Sequence, residues 1–177
     1  TYEEFKKSGN GKKQILKGLF THAGFSFLRK LILSARGTDF FSDQMRVKRA
    51  FFCLSFIWYY KTLKDCDFLV MDEGIAQGFI SALFDWETKY DFSWLAKILS
   101  ECGIRPVFVM TDPVISNARL AERNTPEHGR CDRITDEEKR IRILEIQYRR
   151  FCDLYEACRE KGLSPIGIDN KNDTTAE

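Results

Sequence analysis

The chain has 177 residues, 44% hydrophobic and 31% charged, the balance of a soluble globular protein, and one domain over residues 1–177 is expected. Charge is segregated: residues 1–64 hold 13 Lys and Arg against 4 Asp and Glu, residues 65–177 hold 15 against 22, so an anionic partner is expected on the basic portion. Six scattered cysteines form no C-x-x-C pair and lie beside no histidine cluster, which argues against a zinc site or a disulfide framework and points to a reducing, cytoplasmic compartment.

The basic region 1–64 reads as helices. Between residues 3 and 35, Leu16, Leu19, Phe20, Ala23, Phe27 and Leu31 recur at steps of three and four. Gly9-Asn10-Gly11 breaks the first part, and Arg36-Gly37-Thr38 marks a turn. Residues 43–64 form a second helical stretch, with Ser42 or Asp43 as its N-cap. Its apolar run Ala50–Tyr60 falls far short of the ~20 residues that span a bilayer, so it reads as a buried helix. Arg46, Lys48 and Arg49 just before that run suit a monotopic contact with a membrane surface as the alternative.

The region 65–177 alternates strands and helices. Asp67–Met71 is a continuous apolar run, the pattern of a strand buried on both faces. Residues 75–84 read as a helix with Ile75, Phe79 and Leu83 on one face. Residues 91–101 read as another, through Phe92, Leu95, Ile98 and Leu99, ended by Gly103. Pro106–Met110 is a second strand that stops at Thr111-Asp112-Pro113, and a helix follows through Arg123. Residues 124–135 form a polar, lid-like loop. Residues 136–160 form a long helix with Ile141, Leu144, Tyr148, Phe151, Tyr155 and Cys158 on one side, closed by Gly162. Leu163–Ile168 is the last strand, and Asp169 onward is a polar tail. The alternation predicts an α/β fold, a parallel sheet flanked by helices.

In such a sheet, ligands bind beyond the carboxyl ends of the strands. Asp72 and Glu73 end the run Asp67–Met71 and are the first candidates for chemistry. A carboxylate there can hold magnesium or accept the proton of an attacking hydroxyl. Neighbouring side chains on an extended segment point to opposite sides, so one of the two faces the crevice. Gln77 follows Glu73 by four residues, on the same side once a helix has begun. Helix capping is the plainer role for these acids. Arg119 and Arg123 share a helical face, and Arg130 and Arg133 lie in or beside the 124–135 loop. Arginines on a loop can close over a polyphosphate. Paired with Glu122, Glu127 or Asp132 they would be solvated surface groups instead. His22 and His128 stand in no partner motif, and Gly9–Lys13 is not a phosphate loop, because Lys13 stands where that motif needs a hydroxyl residue.

Over roughly residues 65–170 these pieces resemble the P-loop nucleotide kinases, in particular the thymidylate-kinase-like branch. Asp72-Glu73-Gly74 with Gln77 is similar to a D-E-G-x-x-Q form of the acidic strand-end motif. Val107–Pro113 resembles the next strand with its D-x-P turn, and Asp132-Arg133-Ile134 resembles the D-R-I after the lid. Ile168-Asp169 is similar to the strand end whose loop approaches the adenine. The resemblance implies a P-loop NTPase-like sheet, ATP and Mg2+ as cofactors, and phosphoryl transfer to a nucleotide, nucleoside or similar small acceptor. It assigns catalysis to Asp72, Glu73, Arg123, Arg130 and Arg133, magnesium to Asp72, the acceptor to Gln77 and Arg119, and the nucleotide cofactor to Asp169. The family's first strand and phosphate loop would lie upstream of residue 3, so an N-terminally truncated chain, inactive alone, is expected. The rival expectation is a non-catalytic kinase-like scaffold whose basic aromatic helices hold a protein partner or an anionic membrane. No aromatic RNP pattern is present, and nucleic acid ranks last.

Overall fold

Helices carry the architecture. A computed structural model describes residues 11–36, 40–62, 74–83, 90–122, 131 and 133–170. The basic region yields α1 (Gly11–Leu19), α2 (His22–Ala35), a short 3-10 turn (Phe40–Ser42) and α3 (Gln44–Thr62). Then come α4 (Ile75–Ala82), α5 (Ser93–Glu101), β1 (Val107–Met110), α6 (Pro113–Glu122), α7 (Glu137–Glu160) and β2 (Ile166–Asp169).

Local chemistry sets most boundaries. Asp43 accepts hydrogen bonds from the Met45 and Arg46 backbone N–H groups at 2.7 and 3.2 Å, starting α3. Asp136 does the same for α7 through Lys139 N–H. Gly103 and Gly162 take the left-handed conformation, with φ of 69° and 72°, and end α5 and α7. In both turns the next residue donates back five positions, Ile104 to Leu99 and Leu163 to Cys158, and the chain then enters a strand.

Helix α3 is the centre of the core. Cys53 through Ile57 are all buried in succession, which requires neighbours on every side. Those neighbours are α1, α2 and α4. Beside them Phe27, Phe79 and Trp94 meet edge to face, with ring centroids 5.3 to 5.6 Å apart. Such pairs contribute about 0.5–1.5 kcal/mol each beyond burial.

The expected sheet is corrected here. Among the described residues the fold is dominated by helices, and the sheet has two parallel strands, with Val107 opposite Ile166 and Met110 opposite Asp169. A sheet flanked by helices buries both faces. This one buries Phe108 against Phe151 and Tyr155 of α7, while Val107 and Val109 on the other face are 54% and 59% exposed. Helix packing, not a central sheet, therefore holds the interior, and the P-loop NTPase-like architecture is not what the chain adopts. The strand read at Asp67–Met71 lies outside the described residues.

The buried stripe of α7 also differs from the expected one. Ile143, Arg150, Leu154, Ala157 and Cys158 are buried, whereas Tyr148 is exposed. Arg150 explains the rotation. Its guanidinium donates to Leu83 O at 2.7 Å and caps the last turn of α4 from inside the protein. Among the described residues, no helix is long and apolar enough to cross a membrane.

Candidate functional site

A groove runs between α3 and α4. Helix α3 contributes Met45, Lys48, Arg49, Phe52 and Phe56, spaced so that they share one face. Helix α4 and its N-cap contribute Gly74, Gln77, Gly78 and Ser81, also one face. The two helices run antiparallel, since Gly74 approaches the Tyr60 hydroxyl while Gly78 lies against Cys53. Small residues on α4 leave open the space that larger ones would fill. The resulting cavity holds about 310 Å³, at the lower end of the ~300–1,000 Å³ usual for small-molecule pockets.

The junction beneath the groove is tight. A Cβ on Gly78 would come within 3.3 Å of Cys53 Sγ, so the helices approach through a missing side chain. Cys53 Sγ also lies 3.7 Å from Ile75 O and 3.5 Å from Arg49 O. Burial pushes the Cys53 thiol up to about 12. It is therefore protonated at neutral pH and serves as a packing group rather than a nucleophile.

The cations are the unusual part. Arg46 does not line the groove and is structural: it is buried, its guanidinium lies 5.9 Å from the Phe40 ring centroid, and Asp43 is 4.0 Å from its Nε. Arg49 differs in its place: its side chain lines the groove beside Lys48. Its Nε is buried and meets no hydrogen-bond partner among the described residues. An unsatisfied buried donor costs about 1–3 kcal/mol, more when charged. A groove with an apolar floor and a guanidinium on its wall suits an anion with an apolar or ring-bearing body.

The residues singled out from the sequence fall in several places. Gln77 is on the groove. Arg119 sits half-buried on α6, and Arg133 is exposed in the turn before α7. Asp169 is exposed at the end of β2, level with Met110, whose strand leads into α6. Asn117 holds the junction of α6 and α7. Its amide donates to Glu137 Oε1 at 2.9 Å and accepts from Arg140 Nε, and Arg140 also donates to Ile134 O at 3.0 Å. Asp112 caps α6 through Val114 N–H at 2.8 Å. Asp72, Glu73, Arg123 and Arg130 lie outside the described residues, although Glu73 directly precedes Gly74 of the groove in the chain. The sequence reading gave Lys48 and Arg49 to a membrane contact and missed Gly78 and Ser81. A basic pair three and four residues before an aromatic pair (Phe52, Phe56) was the available signal.

Among the described residues, no group of three or more His, Cys, Asp or Glu could hold a metal ion. Comparison of the chain with protein-family models, curated proteins and solved structures finds no match in any of the three.

Proposed function

We propose that the α3–α4 groove binds a nucleotide or similar small phosphorylated molecule, and that this ligand is the acceptor in phosphoryl transfer from ATP. The observation that carries the reading is Arg49, whose side chain lines a largely apolar cavity and whose buried Nε has no hydrogen-bond partner among the described residues. A phosphate group there would meet the Arg49 guanidinium in charge-assisted fashion, with Lys48 as the second cation. Phe52 and Phe56 offer a surface for a ring, and Gln77 and Ser81 offer hydrogen bonds to its polar edge. Asp72 and Glu73 join this reading through their place in the chain, two residues and one residue before Gly74. Magnesium and ATP belong to it as cofactor and phosphoryl donor. The groove residues themselves serve binding and orientation.

Calorimetric titration of the chain with adenosine and thymidine monophosphates, and with the parent nucleosides, tests the reading. At least one monophosphate should bind about tenfold or more tightly than its nucleoside, equivalent to ~1.4 kcal/mol. Arg49→Met should remove that preference. Equal binding of nucleoside and monophosphate, or no binding of either monophosphate, sinks the proposal.

A further inference from the structure

The α1–α2 pair presents a surface that the groove does not use. Residues 11–36 contain six Lys and Arg and no Asp or Glu. Two large aromatic side chains stand in solvent at its corner, Phe20 at 86% and Phe25 at 63% exposure. Leu16, Ile32 and Leu33 are each about half exposed. Along α2 the buried residues Ala23, Phe27, Leu31 and Ala35 repeat every four positions, and Phe25, Arg29, Ile32 and Arg36 follow one another on the opposite, exposed side. Along α1, Lys13, Leu16, Lys17 and Phe20 keep the same spacing, all exposed.

The corner is fixed rather than loose. Thr21 Oγ1 donates to Gly18 O at 2.7 Å and accepts from Gly24 N–H at 2.9 Å. A Cβ on Gly18 would run into the Leu54 carbonyl, and one on Gly24 would run into the Gly18 carbonyl. Backbone therefore packs on backbone at this bend, and Phe20 and Phe25 are held outward. Each forgoes about 1.5–3 kcal/mol of burial by staying in water.

We propose that the α1–α2 corner docks on an anionic lipid bilayer, with Phe20 and Phe25 entering the boundary between headgroups and acyl chains, and Lys13, Arg29 and Arg36 facing lipid phosphates. Interfacial helices combine apolar and cationic side chains in this way. Each Lys or Arg near such a surface is worth about 1 kcal/mol. Aliphatic side chains interleave with the cations here, and a lipid boundary accepts them, whereas nucleic acid offers stacking only to the aromatic ones. The excess positive charge disfavours a second copy of the same face. Two carboxylates border the surface from α5 and the residues before it. Glu101 lies 3.6 Å from His22 and 4.0 Å from Lys97, and Asp91 is within electrostatic reach of Lys30.

Co-sedimentation of the full chain with vesicles tests the assignment, using phosphatidylcholine with and without about 30 mol% phosphatidylserine to supply the anionic surface. Binding should require phosphatidylserine and weaken as salt rises. The double variant F20S/F25S should bind at least about tenfold more weakly, ~1.4 kcal/mol, with unchanged helical circular dichroism. The pair R29E/R36E should show the same loss and serves as the test if the first variant unfolds. Arg49→Met should leave vesicle binding unchanged, which separates this surface from the groove. Equal binding to both vesicle types, full binding by the folded F20S/F25S protein, or capture by single-stranded RNA but not by vesicles would overturn the assignment.

Discussion

The α3–α4 groove and the α6–α7 junction each gather polar groups, and they treat them in opposite ways. At the junction, Asn117 is buried with both ends of its amide engaged, by Glu137 and by Arg140. Such a closed network fixes geometry and leaves nothing for a ligand to complete. In the groove, Arg49 lines the cavity while its Nε is buried with no hydrogen-bond partner among the described residues. A closed polar network is part of the fold, whereas a cationic side chain that lines a cavity can meet a ligand.

Three substitutions separate the two behaviours. Phe79→Ala should have the largest effect, about 3–5 kcal/mol of stability, because a large buried ring would leave a cavity. Phe79 meets Phe27, Tyr90 and Trp94 from α4, so groove binding should fall with it; a urea titration reads the stability loss. Asn117→Leu should cost less, about 1–3 kcal/mol, by stranding the Arg140 Nε donor. It should leave nucleotide binding untouched, and a loss of binding would merge two regions held apart above. Arg49→Met should act in the opposite direction. Removing an unsatisfied donor should raise stability by about 1 kcal/mol while abolishing the phosphate preference. A destabilised Arg49→Met protein would mean that the guanidinium is structural after all.

Much of the helix framework was legible because it is written locally. Asp43, Asp136, Gly103 and Gly162 mark ends by their own side chains or by the lack of one. β1 and β2 were legible as short apolar runs after glycine turns. The α1–α2 corner was not, because the steps from Leu16 through Phe20 and Ala23 to Phe27 continue helical spacing straight across it. The extended Thr21 backbone and its cap hydrogen bonds interrupt the pattern. The α7 stripe was misread because periodicity counts apolar residues, and the residue that orients this helix is a buried arginine. The sheet was overcalled for a related reason. Continuous apolar runs suit a strand covered on both sides, but nothing in Val107–Met110 states how many strands lie beside it. In the groove, Gln77 was found through its neighbours Asp72 and Glu73, whereas Gly78 and Ser81 contribute by being small, which leaves no chemical signature.

The smallest effect concerns pH, and it sharpens the contrast at the floor of the groove. Cys53 is fully buried, and burial holds its thiol at about 12 against an ordinary value of 9.0. The folded chain keeps that proton where the unfolded chain has released it, so the unfolded state binds fewer protons and stability falls as pH rises. The contribution is complete below pH 9 and is lost progressively up to about pH 12. At pH 9 the loss from this one thiol is only about 0.4 kcal/mol, the value for a group half ionised in the unfolded chain. Urea midpoints at pH 7.5, 9 and 10 should therefore decline less steeply in Cys53→Ala than in the unaltered chain. Parallel declines would place the Cys53 side chain in water, and would dissolve the tight α3–α4 contact at Gly78 on which the groove is built.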